Sequence, residues 1–360
     1  AGLSVTTGIN NVLIGGLAGD AITTGGANTA IGKSALTDNS TGSNNVAVGE
    51  NALANNTTAS QNTAVGQNAL LTSTTATNNV AVGHDSLRLA TTGGNNTAVG
   101  LDALRSNTVG SGNVAVGYES GDAVTEGNDN VAVGQTALSA DTLGSNSVAV
   151  GGAALQKQNF TTATNVYNTA VGRSAGKEIT TGVENTLIGG LSGDSLTTGM
   201  KNVAVGYNSL GAATTSERNT AIGYGSLSAN TTGDNNTALG YNALATNVDG
   251  DRNTAVGSGA LQTMEPSAGD TYNTAVGFSA GGAVTTGISN TLIGALAGDA
   301  ITTGTRNTAV GISALSGDTL GSKAVAIGRN ALLAQNFTTA TDNYNVAVGD
   351  SAGGAVTTGI

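Results

Sequence analysis

The sequence predicts an all-β fold, a parallel β-solenoid or β-roll of about 20 coils, and three observations carry that reading. A glycine recurs at residues 15, 32, 49, 66, 83 and onward to 349, giving 20 copies, and sixteen of the nineteen intervals are the same 17-residue step. A fixed period over the whole chain marks a repeat architecture. The four residues before each glycine are also fixed in kind, as in Asn62-Thr63-Ala64-Val65-Gly66. Finally, the period is too short for a helix pair, and 56 glycines in a chain of 360 residues interrupt it too often for helices.

The coil can be taken position by position, with the recurrent glycine as position 5. Position 1 is Asn in 18 of 20 copies, Ser147 and Ala324 being the exceptions. Stacked asparagines are expected to form a ladder at a turn, each amide satisfying polar groups of the next coil. Position 2 is always Val or Thr, and position 4 is always Val, Ile or Leu. These two share one face of a strand, and their bulk predicts that they point into the coil. One further apolar residue per coil sits at position 9 (Leu36, Leu53, Leu70, Leu87) or at position 12 (Ile22, Val124, Ile179, Leu196). A second glycine stands at position 15 in 14 of 20 copies, which suits a turn of positive φ. Coils stacked about 4.8 Å apart would give a rod of roughly 95 Å in which each coil depends on its neighbours.

Position 3 is Ala in 17 copies and Leu in three, Leu13, Leu187 and Leu292. On this reading it faces away from positions 2 and 4. Ala30, Ala47, Ala64, Ala81 and Ala98 then form an outward stripe of small apolar residues. A strand apolar on both faces is normally covered on both. The expected partners are identical chains packed about that stripe in a homo-oligomeric rod.

These residues resemble the head repeats of trimeric autotransporter adhesins, whose phrase is close to Asn-Ser-x-Ala-Ile-Gly. They resemble still more the NTAVG repeats of phage tail fibres and related bacterial surface fibres, as in Asn219-Thr220-Ala221-Ile222-Gly223-Tyr224-Gly225-Ser226-Leu227. The likeness covers the whole chain and implies a left-handed parallel β-roll in an intertwined trimer. The chain departs from the adhesin pattern in its longer period and in Val or Thr where Ser is common. Residues 1–360 are expected to be one repeat array, a segment of a longer fibre.

Composition agrees with a thin, regularly stacked core: aromatics are 3% and charged residues 10%. A net charge of −11 argues against nucleic acid and anionic membrane surfaces. There is no cysteine, and no apolar run approaches the roughly 20 residues of a membrane span.

Function in a regular array is expected where the array is interrupted. The longer coils lie at 152–172, 258–277 and 329–349. Two of them are near copies, carrying Phe160 with Tyr167 and Phe337 with Tyr344. The third carries Thr263-Met264-Glu265-Pro266-Ser267 and ends in Tyr272. Tyr207, Tyr224 and Tyr241 stand one period apart and should stack. Phe160, Tyr167, Tyr207, Tyr224, Tyr241, Phe337 and Tyr344 are therefore the candidate surface contacts for a receptor or glycan. The plainer roles are, for the long-coil aromatics, a bulged loop whose ring caps the core or fills a groove between chains, and, for the tyrosine ladder, covering neighbouring backbone. Asp20, Asp194 and Asp299 lie in non-adjacent coils and read as turn residues, not as ligands of a shared calcium ion. His84 is the only histidine, with Asp85 expected to point the other way along a strand. No metal, cofactor or catalytic set is expected. The function expected is the structural shaft of an extracellular fibre, on a cell or virion, with adhesion along its side. The alternatives are an ice-binding solenoid displaying Thr rows (Thr23-Thr24, Thr57-Thr58, Thr74-Thr75, Thr91-Thr92) and a polysaccharide-degrading β-helix enzyme.

Overall fold

The structure, a computed structural model, describes residues 1–266 and 269–359. Ser267 of the proline-bearing insertion and Ile360 lie outside these residues. The described residues contain strands and turns and no helix. The chain forms two compact units, Ala1–Thr181 and Gly182–Ile360.

In the first unit a three-residue strand recurs once per coil, from Val12–Ile14 through Thr63–Val65 to Thr169–Val171. Neighbours pair in parallel with no slip: Thr63 lies between Val46 and Val80, Ala64 between Ala47 and Ala81, and Val65 between Val48 and Val82. The second unit repeats the pattern from Thr186–Ile188 to Val346–Val348. In the long coils it passes straight across the insertion, so that Val325 still pairs with Val346. Within each unit these three-residue strands are displaced by one coil, so each of their side chains stacks on its counterpart.

The expected inward and outward faces are reversed. Ala30, Ala47, Ala64, Ala81 and Ala98 are fully buried within the single chain, whereas Val82 and Val99 are each 36% exposed. Position 3 points into the coil; positions 2 and 4 point out. The reason is volume. So short a coil encloses a narrow core already occupied by one Leu or Ile, and only a methyl group from the strand fits beside it. The β-branched residues favour the strand conformation while standing on its outer face.

Core volume is conserved by exchange between positions. Where position 9 is Leu, position 12 is small, polar or flexible, as in Leu36 with Asn39 and Leu261 with Met264. Where position 9 is Gly, position 12 is branched, as in Gly19 with Ile22. Position 9 is left-handed in both cases, φ being 54° at Leu36 and 58° at Gly19. A Cβ on Gly19 would lie 2.6 Å from Leu13 Cδ2 and 2.8 Å from Ile22 Cδ1. Leu292 stands likewise against Gly281 and Gly298, at 2.6 and 2.7 Å from the same construction. A leucine at position 3 therefore requires glycine at position 9 of its own coil and of the coil before.

The two recurrent glycines have different causes. At Gly66 φ is +136°, and a Cβ would lie 2.4 Å from the carbonyl oxygen of Gly83. Gly25, at position 15, lacks the positive φ expected there. Its Cβ would meet the Gly42 carbonyl oxygen at 2.4 Å, so close coil-to-coil approach selects glycine.

The asparagine ladder is present. Asn62 N–H donates to Asn45 Oδ1 (3.0 Å), Asn79 N–H donates to Asn62 Oδ1 (2.9 Å), and Asn62 Nδ2 donates to the Ala76 carbonyl (2.8 Å). Each amide thereby satisfies one backbone donor and one backbone acceptor in a buried turn.

Candidate functional site

The outer face of the strands is the first candidate. In each unit position 4 presents Val, Ile or Leu outward, from Ile31 (36% exposed) to Leu239 (43%). Position 6, just after the glycine, forms a column beside this stripe. It holds most of the exposed aromatics, Tyr118, Tyr207, Tyr224, Tyr241 and Phe278. Tyr207, Tyr224 and Tyr241 stack as expected, with centroids 5.5 and 5.6 Å apart and ring planes inclined by 20° and 16°. All three are about half exposed.

The long coils divide their aromatics between two tasks. Phe160 and Phe337 are not surface contacts; they are 7% and 5% exposed, turned into the enlarged coil where the extra residues leave room. The tyrosines stay outside, in left-handed turns with φ of 54° at Tyr167 and 50° at Tyr344. Lys323 Nζ donates to Asp342 Oδ2 (2.6 Å) and to the Tyr344 hydroxyl (2.9 Å), and lies 4.9 Å from that ring's centroid. Arg252, Asp270 and Tyr272 make the same clasp, the Tyr272 hydroxyl donating to Asp270 Oδ2 (2.7 Å). Beside Tyr167 the corresponding contact is neutral, Asn146 Nδ2 donating to Asn165 Oδ1 (3.0 Å). Short strand pairs, such as Gly321–Ser322 with Thr341–Asp342, complete the join.

Sequence reasoning missed the buried polar centre of these coils. Asp141 is fully buried and accepts from the N–H groups of Gly144 and Phe160 (both 3.1 Å) and from Gln158 Nε2 (2.6 Å). Burial pushes the Asp141 carboxyl up, against the opposing pull of these donors. Gln158 also donates to Ser147 Oγ (2.9 Å) and accepts from Asn168 Nδ2 (2.9 Å). Asp318 and Gln335 repeat the arrangement. The available signal was that Ser147 and Ala324, which interrupt the asparagine column, each follow an Asp-Thr-Leu-Gly-Ser phrase and precede a glutamine.

His84 and Asp85 are in a turn, not a strand. Asp85 is left-handed (φ 56°), which brings its Oδ2 within 3.6 Å of His84 Nδ1. One ligand atom each from His84, Asp85 and Asp102 lies within 4.8 Å of the others, so the trio could approach a cation. Asp85 is already engaged, by Asn68 Nδ2 at 3.0 Å and Arg88 Nη1 at 3.5 Å. The same turn position holds Asn, Ser and Leu in other coils, so its geometry is a property of the repeat. Asp20 Oδ1 accepts from the Leu3 N–H (3.2 Å), in keeping with a turn role.

The two threonines of each pair differ in role. Thr23, Thr57, Thr74 and Thr91 donate their hydroxyls to the next coil's carbonyl at 3.0–3.2 Å. Thr24, Thr58, Thr75 and Thr92 are exposed, in one column. Among the described residues no helix is long and apolar enough to cross a membrane. No protein-family model matches this chain, and no curated protein is significantly similar to it.

Proposed function

We propose that the chain is the shaft of an extracellular surface fibre, carried by a cell or virion. In this reading identical chains, three by resemblance, associate along the outward face of the strands. The observation that carries it is the unbroken recurrence of an outward Val, Ile or Leu at position 4 in both units. Soluble monomers rarely expose so continuous an apolar stripe. Burying it would contribute roughly 25 cal/mol per Å², repeated at every coil. The stripe replaces the alanines as the proposed interface, because those alanines are already enclosed inside the coil. No step of this role calls for a cofactor or a catalytic residue. Light scattering on the wild type and on a double variant, Val65→Glu with Val99→Glu, tests it. The wild type is expected as an oligomer and the variant as smaller species with the same β signature. A monomeric wild type would end the proposal.

A second reading has one specific observation behind it. Thr24, Thr41, Thr58, Thr75 and Thr92 form a row of exposed threonines one coil apart. A regular hydroxyl and methyl lattice of this kind can order water. Thermal hysteresis in freezing solutions would support ice binding, and its absence would dismiss it.

A further inference from the structure

We infer that the face of the first unit carries a binding site for an acidic monosaccharide unit, centred on Arg173 and Lys177. The site is a cleft of about 270 Å³ whose lining includes Gln135, Thr136, Gly152, Arg173, Ser174 and Lys177. Gln135, Gly152 and Arg173 occupy position 6 of three successive coils. Gln135 and Arg173 thus stand about two strand spacings apart, roughly 9.6 Å, with the glycine between them. A Cβ on Gly152 would meet nothing within 4 Å, so the floor is open. The gap takes the thickness of one sugar ring.

The charge of the cleft is opposite to that of the chain. The sequence carries a net −11, yet the lining includes Arg173 and Lys177 and no carboxylate; the carboxylate of Glu178 follows Lys177 in the chain. Lys157 holds that carboxylate at 2.5 Å and Lys177 at 3.5 Å. Among the described residues Arg173 has no ion-pair partner, and it stands exposed. A guanidinium matches a carboxylate through two parallel hydrogen bonds, and the ammonium adds a point charge beside it. Thr136, Ser174 and Gln135 supply hydroxyl and amide groups of the kind that meet sugar hydroxyls.

The second unit provides an internal comparison. Its long coil at 329–349 is the near copy, but Arg329 replaces Gly152, Asp350 replaces Arg173 and Gly354 replaces Lys177. There Arg329 Nε donates to Asp350 Oδ1 at 3.0 Å, so an exposed ion pair stands where the first unit has a glycine and an arginine. The same place thus carries a neutralised ion pair in one unit and unneutralised Arg173 beside Gly152 in the other. The difference is a property of these substitutions, not of the fold.

The site is lined by one chain and does not depend on the proposed assembly. Calorimetric titration of the whole protein with glucuronate, glucose and inorganic phosphate tests it. Glucuronate is expected to bind, with glucose silent and phosphate weaker by about tenfold or more. Arg173→Gln should weaken glucuronate at least about tenfold, from the loss of charged hydrogen bonds. Gly152→Arg, which imports the side chain of the second unit's copy, should abolish binding. Lys177→Gln, at a partly exposed residue, gives a second reading should either variant fold poorly. Equal binding of glucose, phosphate as tight as glucuronate, or wild-type affinity in Arg173→Gln and Lys177→Gln would each overturn the inference. Binding by a protein that light scattering finds monomeric would uphold the site and count only against the fibre.

Discussion

Removing one rung of the asparagine ladder should cost far more than its small size suggests. In Asn62→Ala the Asn79 N–H loses its acceptor at 2.9 Å and the Ala76 carbonyl loses its donor at 2.8 Å. Asn62, Asn79 and Ala76 are all fully buried. Water does not replace a partner there without opening the coil. Each orphaned group costs about 1–3 kcal/mol, so the variant should lose roughly 2–6 kcal/mol. The loss is local, since each coil leans on its neighbours and a repeat array need not unfold as one. Hydrogen exchange reads it best: the amides of residues 62 and 79 and their flanking strands should lose protection, while coils four or five away keep theirs. Thermal melting followed by circular dichroism gives the global counterpart. Wild-type protection at the Asn79 amide would refute the ladder as a structural necessity.

Three further outcomes are expected. Ala64→Leu should destabilise by about 1–3 kcal/mol through overpacking, while Val65→Leu, on the outer face, should stay within about 0.5 kcal/mol in chemical denaturation; the reverse order would restore the opposite orientation of the strand. Gly19→Leu should disrupt its coil, and combining it with Leu13→Ala and Ile22→Asn should recover most of the loss, a non-additivity that a mutant cycle measures; simple additivity would contradict the exchange of core volume. The Asp122 carboxyl is pushed up to about 6, first by burial and then by Glu119, and its Oδ1 has no partner. Folding thus favours its protonated form. This contribution is greatest below about pH 4 and is lost as pH rises to about 6, leaving a penalty of about 1 kcal/mol at neutral pH after allowance for partial exposure. Asp122→Asn should raise the melting temperature at pH 7 and flatten the change between pH 4 and 6; an unchanged pH profile would refute this.

The period, the coil, the asparagine ladder and the tyrosine stack were all legible in the residues, because each depends only on which residue recurs at which spacing. The facing of the strand was not. Bulk suggested that Val65 points in and Ala64 out, but the space left inside so short a coil decides the matter, and that space is set by Leu70 and its counterparts across the coil. Position 15 failed for a related reason: glycine answers there to the carbonyl of the next coil, which a single repeat does not reveal. Phe160 and Phe337 read as candidate surface contacts because they lie where the array is interrupted. Both rings are buried instead, and Asp141 and Asp318 hold the backbone N–H groups of Phe160 and Phe337. The cationic cleft was invisible for want of a motif. Gly152 and Arg173 lie in different coils and gain meaning only beside Arg329 and Asp350.

The interlocking of Leu13 with the glycines before and after it bears on how such a chain can grow. A lone copy of that coil, inserted among leucine-bearing ones, would set two side chains in one hole. Lengthening by unequal exchange is therefore tolerated when the spliced segment brings its own flanking coils. The reappearance of the whole neighbourhood around Leu292 is the signature that such a history would leave.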